Sequence, residues 1–449
     1  MTDRYTARRF PVLPGRAAWN AILTDRFEAP PLAEDVTCDV AIIGAGFAGL
    51  AAARRLTQGD PSLRVVILDA LPIGEGGIGR NSGFMIDLPH ELTSDDYAGE
   101  GSGADKVTMR LNRRAIDFAG EAVESYGIDN SFFVRSGKIN GAVTERGATA
   151  NRSYARHLQE LGESHRLIDA QEMQEITGSS RYRSGLYTPG TVMLQPAGYA
   201  HGMAKGLTHE GVRIFPETRV ASFERRSGGW RIATVGGSVE TGKIILATNG
   251  HLESFGFKRG RLIHLFLYAA MTEPMDAASE QKLGGARQWA ITPADPAGTT
   301  MRRISDAHGR TRLITRAGIS FRPSMRVADR DLRRAERIMR ARFDFRFPQV
   351  AGYPNAHVWS GHLCLSNNGA SVARELEDGV YAAAVQNGLG STRGTLTGIA
   401  AAEQVLGKRS DVSDFFLSAP EPSRLPPEPF ATLGARGLIR WKEWQAGQE

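Results

Sequence analysis

The sequence predicts an α/β protein in which a parallel-sheet domain is interrupted by a second domain built on antiparallel sheet. Three observations predict it. Residues 38–69 read as strand, glycine turn, helix and second strand without interruption. Apolar runs of the same buried-strand type return far downstream, at 243–250 and 379–384. Between them, residues 262–273 and 299–321 alternate as antiparallel strands do.

Residues 1–37 lack clear periodicity and carry Pro11, Pro14, Pro30 and Pro31, so they read as an arm laid over the first domain. Cys38-Asp39-Val40-Ala41-Ile42-Ile43 is a short apolar run suited to a buried parallel strand. It leads into Gly44-Ala45-Gly46-Phe47-Ala48-Gly49 and then a helix-forming stretch through Leu56. In this G-x-G-x-x-G pattern the first glycine permits the turn, the second admits a pyrophosphate, and the third lets helix and strand pack closely. The helix start aims unpaired N–H groups and a positive dipole at phosphate oxygens. The next run, Arg64 to Leu68, ends on Asp69, twenty positions beyond Gly49, where a carboxylate accepts hydrogen bonds from a ribose without a 2′-phosphate. A glycine triplet alone is a weak signal; strand, turn, helix, strand and acid together are a strong one.

Residues 71–83 are too glycine-dense for helix or strand, and Arg80 and Asn81 in them are placed to fix phosphate or a cofactor ring, since a guanidinium fork bridges two oxygens. Helices are expected at 102–127, 149–163 and 196–208, and strands at 212–215, 220–223 and 230–233. Leu332, Ala335, Met339 and Phe343 share one face of an arginine-rich helix that reads as a solvated surface element. Gly388 to Gly394 leads into a last helix, opened by Ser391 or Thr392 as its cap. From Ser410 the chain is proline-rich and then carries tryptophans, as a segment wrapping the surface would.

The bulk properties exclude several classes. The chain has 449 residues, enough for two or three domains, and 41% hydrophobic residues, enough for a real core. Its two cysteines, Cys38 and Cys364, allow no disulfide framework and no C-x-x-C pair, which favours a reducing, cytoplasmic setting. No secretory signal and no uncharged apolar run long enough for a membrane span is apparent. The net charge of +6 comes from scattered arginines rather than a basic run with interleaved aromatics, so nucleic acid is not expected as a partner. No Ser/His/Asp order or metal-ligand cluster supports hydrolytic or metal chemistry.

The segments DVAIIGAGFAGLAAARRL, ILDA, GEGGIGRNSGF, KIILATNG and WSGHLCLSNNG, with the closing glycine-rich strand–turn–helix, resemble the flavin-dependent amine and amino-acid oxidases of the D-amino acid oxidase, glycine oxidase and sarcosine oxidase superfamily. The G-R-N-S-G loop and the segment before Cys38 are most similar to the branch containing gamma-glutamylputrescine oxidoreductase. The resemblance implies an FAD-binding Rossmann-like domain of the glutathione reductase type at 38–95, 190–258 and 352–410. It implies a substrate domain at 96–189 and 259–351, and a tail at 411–449. It extends the cofactor set to Ala70, Gly79, Ser82, Val220, Ala247, Thr248, Asn249, Gly361, Leu389 and Gly390, with the helix after Ser391 aimed at the flavin. The family's W-x-G-x-x-x-x-T-x-D-x-x-P signature appears as Trp359, Gly361, Ser366, Asn368 and Ser371, lacking the aspartate and proline. Cys364 is expected to be a small buried hydrophobe, leaving the flavin non-covalent.

The implied reaction takes a small amine or amino acid to an imine by hydride transfer to flavin N5, with dioxygen or a separate acceptor removing the electrons. Candidate substrate groups are His264, Tyr268, Arg302, Arg303, Arg316, Trp359 and His362, with Arg302 or Arg303 as a fork for a carboxylate. Two other readings keep the fold: an enzyme acting on a modified tRNA base, and a non-catalytic flavoprotein subunit that needs a partner. The sequence leaves the oligomeric state open.

Overall fold

The structure, a computed structural model, describes residues 4–89 and 102–449. Its first sheet has a parallel centre in the order Val380–Ala382, Ser238–Leu246, Val36–Ile43, Val65–Leu68 and Arg213–Phe215. The nearly continuous Val/Ile/Leu runs foreseen for these strands are what burial on both faces requires. The long strand Ser238–Leu246 also pairs antiparallel with Gly229–Ala233, which continues to Ser222–Arg226 and, at the edge, Arg4–Thr6 of the arm.

One face of this sheet is covered by the helices Phe47–Gly59, Thr392–Val405, Pro196–His209 and Ser102–Ser125. Small residues let the first two approach: a Cβ on Gly398 would lie 2.2 Å from the Ala48 carbonyl oxygen. Leu111, Ala115, Ile116 and Ala119 of the helix Ser102–Ser125 share a core with Ile42, Leu50 and Ile399. That helix therefore packs on the first domain, although the sequence divides the chain so that 96–189 falls in the second. Amphipathic spacing shows that a helix has a buried face, not which sheet receives it.

The second sheet runs Asn355–Ser366, Leu262–Thr272, Thr311–Phe321, Thr300–Ser305, Trp289–Pro293, Lys138–Ala142, Ser184–Thr188, Arg166–Ile168. All neighbours are antiparallel except Trp289–Pro293 with Lys138–Ala142. Asn355–Ser366 is its edge strand, so the part of 352–410 that contains Trp359 belongs here and not to the first sheet. One face carries Ala269, Met271, Ile304, Ile314 and Trp359 against Trp19 of the arm. The other carries Phe266, Tyr268, Ala270 and Ala317 against Ala335 and Met339 of the helix Asp329–Arg346. That is the arginine-rich helix of the sequence, with its apolar side inward and Arg330, Arg333 and Arg337 exposed.

The arm crosses from one sheet to the other. Ala7 donates its N–H to the Ala221 carbonyl at 2.8 Å, Val12 bridges to Arg326, and a turn of helix follows at Ala18–Ala21. The tail expected to wrap the surface instead forms two helices, Asp411–Ser418 and Phe430–Ala446. Among the described residues no helix is long and apolar enough to cross a membrane.

Candidate functional site: a dinucleotide cradle facing an antiparallel sheet

One cavity is lined by both domains. Its first wall is the glycine turn, Gly44 to Ala48, with Asp69, Ala70 and Val220 beside it. Gly44 has φ of +110°, and a Cβ there would lie 2.6 Å from the Ala247 carbonyl oxygen, so the position is restricted to glycine. A Cβ on Gly46 would meet nothing within 4 Å, which leaves open space at the N-terminus of the helix Phe47–Gly59. No side chain caps that helix, and its first residues, Phe47 and Ala48, line the cavity. Gly49 does not line the cavity; its Cβ would sit 1.8 Å from the Gly44 carbonyl oxygen, so it serves the helix–strand contact.

Asp69 is half-buried, and its carboxylate accepts from the Ala45 N–H at 2.6 Å and the Leu71 N–H at 2.8 Å. Burial pushes its carboxyl up, against the downward pull of those two amides. The acid thus shapes the turn as well as facing the cavity.

The loop at 71–83 holds a short 3₁₀ turn, Gly77–Gly79, and its Gly74, Gly76, Gly77 and Ile78 line the cavity with Arg80, Asn81 and Ser82. Gly79 does not; a Cβ there would collide with the Gly74 carbonyl oxygen at 1.8 Å. Arg80 departs from its expected role. Its guanidinium bonds the carbonyls of Pro14, Gly15, Ser360 and Glu75 and the Glu75 carboxylate. All five N–H groups are thereby engaged, and the buried fork staples the arm to the loop rather than reaching for phosphate. Asn81 is also turned inward, bonding the Ile78 carbonyl at 2.5 Å and the Gly83 N–H at 2.7 Å.

The far wall is Ala247, Thr248 and Asn249 together with Gly388, Leu389, Gly390 and Ser391. Asn249 Oδ1 accepts from the N–H groups of Val385 and Gln386 at 3.1 and 3.4 Å, tying the two loops together. Asn249, Val385 and Asn387 all have positive φ (46°, 61° and 50°), which costs a β-branched residue such as Val385 most. The helix Thr392–Val405 does begin here, but without the expected side-chain cap: Ser391 Oγ donates to the Phe84 carbonyl at 2.6 Å. Thr392 lies behind the wall, with a buried Oγ1 that has no partner among the described residues.

On the second sheet the cavity meets Leu267, Ala269, Thr292, Thr300, Arg316 and Gly361. Several expected substrate groups lie elsewhere. Arg302 is buried two residues along the strand from Thr300 and donates to the carbonyls of Ser82, Gly83 and Leu194 at 2.8–3.0 Å, stacked between Trp19 and Phe84. Burial pushes its guanidinium down to about 9, as no carboxylate faces it. It is a clamp on the loop at 82–83, not a carboxylate fork. Arg303 points to the opposite face, onto the Gly284 carbonyl and Glu280. Trp359 is fully buried against Trp19, with its Nε1–H on the Arg80 carbonyl at 3.3 Å. Tyr268 touches the cavity but sends its hydroxyl to Ser320 Oγ at 2.6 Å, on the side of the helix Asp329–Arg346. Burial pushes that phenol up to about 12. Of the three arginines singled out, Arg316 is the one that lines the cavity.

His264 also sits behind the wall, as the middle of a buried chain. Its Nε2 meets Glu253 Oε2 at 3.0 Å and its Nδ1 meets His362 Nε2 at 3.1 Å. His362 and His251 line the cavity, and the His362 ring stacks on Phe266 at 5.0 Å. Burial holds His362 well below its ordinary value and takes His251 down to about 4. Burial acts upward on Glu253, but His264, the Gly260 N–H and Arg9 together outweigh it and the carboxyl is net lowered. Both ring nitrogens of His264 are thereby engaged, one by Glu253 and the other by His362. Glu253 and His251 carried no sequence signal, because a lone Glu or His on a loop looks the same wherever it points. Among the described residues no group of His, Cys, Asp and Glu is arranged to hold a metal.

The cavity fits FAD on its own terms. The open space over Gly46, Gly76 and Gly390, which Cβ atoms would fill, is backbone laid bare to a ligand. Thr248 lines the cavity with a buried Oγ1 that lacks a partner among the described residues. A bound dinucleotide would supply one, with its diphosphate at Gly44–Ala48 and its ring between Gly388–Ser391 and the second sheet.

Comparison with known proteins agrees. The chain is 23% identical over 415 residues to the gamma-glutamylputrescine oxidoreductase of Escherichia coli, covering 90% of this chain and 92% of that one. It is 28% identical over 262 residues to the probable oxidoreductase OrdL of Haemophilus influenzae, a match spanning 56% of this chain and only 59% of that protein. The fold is shared with glycine oxidase from Geobacillus kaustophilus, with a TM-score of 0.67 at 19% identity over 84% of this chain and 96% of that one. Residues 39–404 match the family described as DAO, FAD dependent oxidoreductase, and the chain belongs to that family.

Proposed function

We propose that this oxidoreductase removes two electrons from the C–N bond of a small amine that carries a carboxylate, an amino acid or N-substituted amino acid, giving the imine. FAD, when bound, supplies the two-electron acceptor; the chain's own residues hold and orient the substrate. One observation carries the substrate class. Asp69, at the glycine turn, is the lone acid among the described lining residues, whereas Arg316 stands on the sheet face beside the hydroxyl-bearing Thr292 and Thr300. The Arg316 guanidinium, steadied by a bond to the Gly298 carbonyl at 3.2 Å, and the neighbouring Thr300 suit a carboxylate better than a bare diamine. Similarity to the gamma-glutamylputrescine oxidoreductase and the shared fold with glycine oxidase support oxidation beside an amino group. His362, backed by His264 and Glu253, stands on the cavity wall as a neutral imidazole able to hydrogen-bond a substrate amine.

The test is anaerobic titration of the yellow protein with amino acids and with the amines left after their decarboxylation. Amino acids should bleach the flavin absorbance and the matching amines should not. Arg316→Ala should raise KM about 10- to 100-fold, the worth of a charge-assisted hydrogen-bond pair. Bleaching by amines alone, or indifference to Arg316→Ala, would overturn the carboxylate assignment.

A further inference from the structure

The helix Phe430–Ala446 is amphipathic the wrong way round for a surface helix. Thr432, Ala435, Ile439, Glu443 and Ala446 turn inward, while Phe430, Leu433, Leu438, Trp441 and Trp444 turn outward with Gly434 and Gly437. Phe430 is 70% and Trp444 78% exposed. Of the ten large apolar side chains standing exposed among the described residues, five are on this one helix. The outward stripe is bordered by exposed Arg436 and Arg440, and the helix's single acid, Glu443, is turned in against Arg334 and the Ile319 N–H, with Arg440 reaching it at 3.2 Å. The neighbouring helix Asp329–Arg346, joined through Arg334–Glu443 and Arg342–Gln448, adds exposed Arg330, Arg333 and Arg337 against exposed Asp329 and Glu336.

We propose that this helix docks the protein on an anionic lipid surface, its tryptophan and leucine stripe entering the interface and its arginines meeting the headgroups. Exposed Trp, Phe and Leu on one side with arginine at the border is the composition of an interfacial helix. A second copy of the chain fits worse for two reasons. A stripe 17 residues long and one helix wide covers on the order of 250 Å², against the ~800 Å² per partner of a stable interface. A two-fold contact would also set the same arginine rows facing each other. A bilayer needs no such area and offers the opposite charge.

The full-length protein should sediment with vesicles of phosphatidylcholine plus phosphatidylglycerol, with a blue shift of tryptophan emission. It should bind phosphatidylcholine vesicles far more weakly, and salt should release it. The triple variant Leu433→Ser, Trp441→Ser, Trp444→Ser should lose roughly tenfold or more of vesicle affinity. The paired variant Arg436→Glu, Arg440→Glu should lose the preference for phosphatidylglycerol and decides the matter if the triple variant does not fold. Flavin absorbance and solution turnover should be unchanged in both. Failure to sediment with either vesicle overturns the proposal. So does sedimentation indifferent to these substitutions, or a concentration-dependent dimer that the triple variant abolishes.

Discussion

His201 shows how one buried ring can set an acid limit on the fold. It accepts the Phe27 N–H at Nδ1 (2.8 Å) and meets Asn20 Oδ1 through Nε2 (2.8 Å), so it ties the helix Pro196–His209 to the arm as a neutral imidazole. A second proton would leave the Phe27 N–H facing another N–H. Burial, helped by Arg26 and Lys205, lowers its pKa from 6.5 to about 4. Between those values the unfolded chain binds the proton and the folded chain does not, so the His201 contribution is complete above pH 6.5 and is lost as pH falls toward about 4. Urea midpoints should therefore decline across that window, and His201→Gln should flatten the decline. A slope as steep in the variant as in the parent would assign the acid lability to other groups, of which His251 is the nearest in behaviour.

The glycine turn is a feature of the strand–turn–helix unit, and its glycines answer to different constraints. Gly46→Val should fold with an unchanged denaturant midpoint yet bind FAD at least about tenfold more weakly, because the added side chain enters only the cavity. Gly49→Ala should lower the midpoint itself, since its Cβ would meet backbone at 1.8 Å. Calorimetric FAD binding alongside urea unfolding separates the two, and loss of stability in Gly46→Val would contradict the assignment. This unit was legible in the sequence because its parts are contiguous and each residue type has a local steric reason. The second sheet was less so. Thr300, Arg302 and Ile304 alternate with Met301 and Arg303, and alternation separates two faces without saying which one meets the cavity. Residue type misled as well: Arg302 looked like a substrate fork, and Arg80 like a phosphate ligand. Each is instead surrounded by backbone carbonyls that distant segments bring to it.

At the scale of the molecule the cavity exists because three separated pieces of chain meet, and Arg80 stands at the junction. It links the arm (Pro14, Gly15), the glycine-dense loop (Glu75) and the edge strand of the second sheet (Ser360). Arg80→Met should cost about 3 kcal/mol, read from the urea midpoint, because it strands buried carbonyls and the Glu75 carboxylate. Arg80→Lys should not restore the loss, since an ammonium cannot span the same fork. Unaltered stability with weakened FAD binding would return Arg80 to the phosphate role.

Read alone, the sequence determined the dinucleotide unit, the interruption of one domain by another and the family, since strand period, glycine placement and motif order are properties of neighbours in the chain. Tertiary structure alone decided that Arg316 and not Arg302 lines the cavity, that Glu253, His264 and His362 form one chain, and that the tail presents its tryptophans outward. Those depend on register, on a strand irregularity between Leu267 and Ala269, and on contacts between residues far apart in sequence, none of which leaves a local pattern.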